Sequence, residues 1–307
     1  MQSVDDPKLS RNYGFWSADE QQAILAADVA VAGVGGDGYL LALSMVRMGV
    51  GRLRIADPEV FELENFNRVP GAKHANLGRS KVDCFVEDAM EINPAIKLEV
   101  FHEGVTVDNV DEFLGGAGLV IDESELTRIE IGVTIADRAR LLGIPNLQVM
   151  NIGFAAQVTS FHPTRTPTFR DLIGAAEDTP VEEIARRGLS LASVLPFLPP
   201  YLDEDVFLAA AGGAPLPSIV QGVNLASALG ASQAFLHLTA GAAGSNRPEP
   251  LWFPKILYID ALTGQSTVST EISRTHQESI RQMRSNKRQG RLTRLQYPLP
   301  SADPAAH

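Results

Sequence analysis

Apolar and polar positions come in blocks along the first half of the chain, and the blocks predict strands and helices in succession. Asp28-Val-Ala-Val-Ala-Gly33 is a short apolar run ending in glycine, the pattern of a strand buried in a parallel sheet. Residues 39–48 predict a helix that is apolar nearly all round and is closed by Gly49. Arg52–Ala56 reads as a second strand, which delivers Asp57 to its C-terminal end. Ser80, with Asp83 three residues on, caps the next helix; Val82, Phe85, Val86, Ala89 and Met90 fall at helical spacing until Asn93-Pro94. Lys97–Phe101, Gly118–Asp122 and Asn146–Met150 predict further strands, with a helix over Ile129–Leu142. Strands alternating with helices over short connections imply a parallel sheet with right-handed crossovers, and so a doubly wound α/β fold.

Beyond about residue 155 the pattern changes. Gln157–Phe161 predicts a strand, His162–Pro180 is polar and proline-bearing, and the stretch with Pro196, Pro199 and Pro200 reads as helical. An alanine-rich helix over Ser218–Ala240 has small residues that permit close packing, within the subunit or across a dimer interface. Lys255–Asp260 and Gln265–Thr270 flank Thr263-Gly264 as a hairpin. The expected organisation is an N-terminal arm (1–27), a nucleotide-binding core (28–162), a crossover segment facing the substrate (163–217), a helix and hairpin completing the domain (218–273), and a basic flexible tail (274–307). From Pro298 the composition is that of a disordered end.

Composition narrows the classes. With 307 residues, 45% hydrophobic and 21% charged, the chain can bury a full core. The apolar stretch Val223–Ala240 is interrupted by Asn224, Ser227, Gln233 and His237, which argues against a membrane span, and a cytoplasmic location is expected. The single cysteine, Cys84, excludes an intramolecular disulfide and a multi-cysteine zinc site. A net charge of −11 argues against nucleic acid as the main partner. Between Arg274 and Arg294 the trend reverses, with seven basic residues and one acid, which reads as a solvated extension or, alternatively, as a tail for an acidic partner or phosphate.

The candidate chemistry lies between residues 29 and 81. A Gly33-x-Gly35-x-x-Gly38 turn between an apolar strand and a helix builds a cradle for nucleotide phosphates, and Asp57 stands where a ribose-binding acid belongs. A nicotinamide-dependent oxidoreductase would use the same two features. The polar cluster of Asn65, Arg68 and Lys81 points instead to triphosphate chemistry.

Ser10-Arg11-Asn12, Gly33-Val-Gly35-Gly36-Asp-Gly38, Met48-Gly-Val-Gly51, Asp57-Pro-Glu59 through Asn65-Phe-Asn-Arg68, Gly78-Arg-Ser-Lys81, Ile92-Asn-Pro94 and Asp122 occur in family order. Over residues 10–162 the chain resembles the ThiF/MoeB/ubiquitin-activating, or E1-like, adenylyltransferase family. The resemblance implies a Rossmann-like fold, ATP and Mg2+, and adenylation of the C-terminal carboxylate of a small protein or peptide. It also implies a dimer, expected here to be a homodimer, in which Arg11 reaches the partner's ATP. By the same resemblance Arg68 and Lys81 contact the phosphates, Asn65 positions phosphate or metal, and Asp57, Glu59 and Asp122 serve nucleotide binding. Glu125 takes the position of the magnesium-binding aspartate. Relatives that pass a protein on as a thioester have a cysteine in or after the crossover; residues 155–307 contain none, so an acyl-adenylate without a covalent relay is expected. Asp37 stands where the family has a small or apolar residue, and an anion there repels a triphosphate unless it points away or meets magnesium. A non-catalytic dimer partner of an active homologue is the alternative that these departures leave open.

Overall fold

The computed structural model describes residues 3–188, 194–211, 214 and 216–288; the terminal segment expected to be disordered lies outside them. One mostly parallel sheet runs through the molecule, in the order β3-β2-β1-β4-β5-β6-β7-β8. Its strands are β1 (Asp28–Ala32), β2 (Arg52–Ala56), β3 (Lys97–Phe101), β4 (Leu119–Asp122), β5 (Asn146–Ile152), β6 (Ala155–Phe161), β7 (Ile256–Asp260) and β8 (Gln265–Ser269). The helices are α1 (Ala18–Ala26), α2 (Gly36–Met48), α3 (Lys81–Ile92), α4 (Val110–Leu114), α5 (Ile129–Leu142), α6 (Phe169–Ile173), α7 (Val181–Arg187), α8 (Glu204–Ala211), α9 (Val220–Leu238) and α10 (Ile272–Arg288).

β1 to β5 are parallel, as the alternation of strand and helix requires. The sheet is mostly rather than wholly parallel, since β6, β7 and β8 pair antiparallel, β7 and β8 as the expected hairpin. The reason is the connection between β5 and β6. Only Gly153 and Phe154 separate them, with Gly153 at φ +62°, and so short a link makes a hairpin because a parallel partner needs a crossover of a dozen residues or more. The hairpin of β7 and β8 then continues the same sheet.

Helices cover both faces. On one face α2, α3 and α9 bury Leu41, Met45, Phe85, Ala226 and Ala234 against Val31, Ile55, Val149 and Val158. On the other, α4 and α5 bury Phe113, Leu114, Ile135 and Ala139 against Ala30, Ala32 and Val120. A further core lies under the antiparallel strands, where Phe161, Phe169, Phe197, Tyr258 and Met283 come together. The small residues of α9 serve packing within the subunit. A Cβ on Gly222 would stand 2.2 Å from the carbonyl oxygen of Gly153, and one on Gly230 would stand 2.9 Å from both Leu41 Cδ2 and Val149 Cγ2.

Two expectations about the second half are corrected. Residues 195–199 are not helical, because Pro196, Pro199 and Pro200 lack the N–H and push the residues before them out of the helical region. Phe197 instead stacks on Tyr258, with ring centroids 4.7 Å apart. The basic stretch is not a solvated extension over its described part: α10 packs Ile272, Ile280 and Met283 into the core, and His276 Nδ1 lies 2.9 Å from the carbonyl of Leu195. Among the described residues no helix is long and apolar enough to cross a membrane.

Candidate functional site

The strand order reverses between β1 and β4, and the crevice beyond the carboxyl ends of such strands is where this class of sheet binds ligands. A cleft of about 470 Å3 opens there. Gly33, with φ +93°, turns the chain out of β1; its N–H donates to Ala56 O (2.7 Å), and a Cβ on it would lie 2.4 Å from Glu123 O. Gly38 lies equally close to Gly33, since a Cβ there would meet Gly33 O at 2.0 Å. Gly36 faces Val223 of α9 and the stem of Arg68, whereas a Cβ on Gly35 would meet nothing within 4 Å. The loop is thus braced behind and open in front, and the N–H groups of the first turn of α2 have the orientation that favours anions.

Asp57 follows β2 and is 4% exposed. Its two oxygens accept from Val34 N–H and Glu59 N–H, both at 2.8 Å, so it ties the glycine loop to its own turn. Burial pushes its carboxyl upward, against the pull of the Lys81 ammonium. Phe61 N–H donates to Arg79 O (2.9 Å), Gly78 N–H to Phe61 O (2.8 Å) and Lys81 N–H to Glu59 O (3.0 Å). This stitching puts the start of α3 beside residue 59. The Lys81 side chain, 5% exposed, pairs with Glu59, whose own side chain is 48% exposed. Asn65, 7% exposed, accepts from Glu62 N–H at 3.1 Å and closes a short turn. Three residues on, Arg68 Nη1 donates to Glu64 O and to Asn67 Oδ1, both at 2.8 Å.

The cleft therefore unites Gly33, Gly35, Gly36, Gly38, Asp57, Glu59, Asn65, Arg68, Lys81 and Glu125. Two expected site residues stand elsewhere. Asp122 does not line the cleft; it is buried at the end of β4, where it accepts from Ser124 N–H (3.1 Å), Ser124 Oγ (2.6 Å) and Gln148 Nε2 (3.1 Å) and braces the following turn. Arg11 lies exposed in the last turn of an N-terminal 3-10 helix (Pro7–Asn12) and is not among the residues lining the cleft of its own chain.

Other residues in the cleft carry no local mark in the sequence: Asn151 at the end of β5, Ser218 before α9, Arg128 before α5, and Glu123. Asp37 lines the cleft, and Asn151 holds its side chain. Both its oxygens lie 2.9 Å from Asn151 Nδ2, and burial raises its pKa to about 7. Glu123 is pushed well above the usual carboxylate range by burial and by Asp37 and Asp122 nearby, and its Oε1 has no hydrogen-bond partner among the described residues. Among the described residues, eight carboxylates and three cations line the cleft.

A doubly wound sheet with a glycine turn, an acid after the second strand and a buried lysine at one crevice has the architecture of the nucleotide-binding α/β class. The chain belongs to the ThiF family, which it matches over residues 9–280. A Zea mays protein named adenylyltransferase and sulfurtransferase MOCS3-1 is 31% identical over 157 residues, which are 51% of this chain and 33% of that protein. The tRNA threonylcarbamoyladenosine dehydratase of Escherichia coli K12 is 32% identical over 108 residues, 35% of this chain and 40% of that protein. The chain thus spans between a third and two fifths of the length of these relatives. A crystal structure of Escherichia coli MccB with ATP shares the fold, with a TM-score of 0.65 at 14% identity over 87% of this chain and 72% of that one. PaaA does so with a TM-score of 0.60 at 17% identity over 82% and 66%.

Proposed function

We propose that this protein is an ATP-dependent adenylyltransferase that joins the C-terminal carboxylate of a small protein or peptide to AMP and releases pyrophosphate. The observation that carries the reading is the convergence of Asn65, Arg68 and Lys81, from two separate stretches of chain, on the crevice that the glycine loop opens. The cleft volume is within the range of small-molecule sites. The name of MOCS3-1 and the MccB structures with ATP and with N-formylated MccA support a nucleotide and a peptide or protein as the two substrates.

The chemistry accounts for the residue types. A carboxylate oxygen attacks the α-phosphorus, the bond to the β-phosphate oxygen breaks, and pyrophosphate leaves. Two anions must approach each other, so fixed cations and N–H donors have to offset the charge that gathers on the phosphates. Arg68 and Lys81 supply the cations, and the first turn of α2 supplies the donors. Lys81 is already desolvated, and phosphate would take the place that Glu59 now occupies; Glu59, half exposed, is then free to turn to the ribose. Arg11 would complete the site from a partner subunit in a homodimer. Magnesium suits the donor set as an ion carried with the triphosphate: among the described residues no group of three His, Cys, Asp or Glu side chains could hold one alone, and this ion is commonly held by one or two carboxylates plus phosphate oxygens. Glu125, in the cleft wall, is the carboxylate for it, and the ion would neutralise phosphate charge. Cys84 is 1% exposed and burial raises its thiol, which supports release of the acyl-adenylate without a thioester.

The excess of carboxylates over cations in the cleft favours a second reading, a non-catalytic subunit that pairs with an active homologue. Exchange of labelled pyrophosphate into ATP, driven by peptides or small proteins with a free C-terminal carboxylate, separates the two. Arg68→Ala and Lys81→Ala should each lower exchange by about 100-fold or more while the thermal midpoint stays within about 4 °C. Wild-type exchange in both variants would remove the proposed site.

A further inference from the structure

Asp37 occupies the second position of α2, in the wall of the cleft and 7% exposed. A carboxylate there opposes the binding of phosphates unless something holds it back. Asn151 does so with its side-chain N–H2, which faces both carboxylate oxygens at 2.9 Å. The other end of the same amide is also engaged: Asn151 Oδ1 accepts from Ser218 Oγ at 2.9 Å. The carbonyl of Ser218 accepts from Asn67 Nδ2 at 2.9 Å, and Asn67 Oδ1 accepts from Arg68 Nη1 at 2.8 Å.

These bonds form one unbroken chain from the phosphate loop, through the end of β5 and the entry to α9, to the guanidinium expected to face the phosphates. Its members lie far apart in sequence, with separations of 114, 67 and 151 residues at the three long-range bonds. The orientation of the amide is fixed by its neighbours, because reversal would set its carbonyl against the Asp37 carboxylate. The bond is not needed to place the backbone of residue 37, since Ser227 Oγ already donates to Asp37 O at 3.0 Å.

We propose that Asn151 is a positioning residue of this site: it turns the Asp37 side chain off the path of the triphosphate and, through Ser218 and Asn67, sets the Arg68 guanidinium. The proposal rests on the reading that the cleft takes ATP. It explains how an acid is accommodated in the phosphate loop, and it ties the segment that enters α9 to the phosphate contact.

Calorimetric titration of ATP with magnesium at pH 8.5, where Asp37 is ionised, tests it. Asn151→Ala should weaken binding by about tenfold or more, and adding Asp37→Asn should recover most of that loss, because no charge is left to hold back. A purely architectural Asn151 would not be rescued by neutralising Asp37. Asn67→Ala should also weaken binding, and its effect should be non-additive with that of Asn151→Ala, because both open the same chain. Wild-type affinity in Asn151→Ala, or a loss that persists in the double variant, overturns the role toward Asp37; full additivity overturns the link to Arg68. Should Asn151→Ala fail to fold, the isosteric Asp37→Asn alone decides, since it should bind ATP no more weakly than wild type, and weaker binding overturns the proposal. Failure of the wild type to bind ATP would remove the functional reading and this proposal together, whereas tight wild-type binding with indifferent variants removes the proposal alone.

Discussion

Gly33 and Gly35 are two residues apart, yet replacing each by alanine should have separable effects. At Gly33 an added Cβ meets Glu123 O at 2.4 Å in a left-handed conformation. Gly33→Ala should therefore cost about 2–4 kcal/mol in urea-unfolding experiments and abolish nucleotide binding with the fold. At Gly35 the Cβ enters open space at the mouth of the cradle. Gly35→Ala should leave stability within about 1 kcal/mol while weakening ATP binding, and equal loss of both quantities would show that the loop is only a turn. The two glycines were legible in the sequence, as were Arg68 and Lys81, because their spacing and order carry the signal. Asn151 and Ser218 were not. A polar residue ending a buried strand has no periodicity of its own, and its partners lie 114 and 67 residues away.

At the level of elements, legibility followed contact range. β1 to β5 and α2, α3 and α5 could be read from local period, because each is an apolar block between turn residues. The antiparallel turn after β5 depends on two residues, Gly153 and Phe154, that do not interrupt an already apolar stretch. The docking of α10 was hidden by its charge, since a few apolar positions, Ile272, Ile280 and Met283, outweigh the basic face in deciding where it sits. Proline, read as compatible with a helix near residue 196, overrode its surroundings. α9 offers a test of why small residues recur on it. Gly222→Ala would drive a Cβ to 2.2 Å from a backbone oxygen of Gly153, which has no rotamer to yield. It should destabilise the protein by about 2 kcal/mol or more, read as a shift in denaturation midpoint, whereas an exposed alanine exchange on the same helix should stay within about 0.5 kcal/mol.

Considered as a whole molecule, the protein carries a half-buried imidazole far along α9 that couples its fold to pH. His237 Nε2 lies 2.8 Å from Ser160 Oγ, and its ring packs against Trp252 with centroids 4.9 Å apart. Burial, helped by His162, lowers its pKa from 6.5 to about 4. The unfolded chain thus takes up this proton first on acidification, so the stabilisation present above pH 6.5 is lost as pH falls through the window to about 4. The loss should reach roughly 3 kcal/mol, and His237→Gln should flatten that part of the stability profile; an unchanged slope would place the dependence on other groups. The sheet itself ends in strands of another character. Lys97 and Glu99 mark β3, where Glu99 pairs with Arg54 and Arg52, and Gln265, Ser266 and Thr267 mark β8. Charged and hydroxyl-bearing borders of this kind give a second copy little reason to add a ninth strand. Concentrated solutions should therefore resist fibril growth while the fold holds, and self-association would have to proceed through helical surfaces.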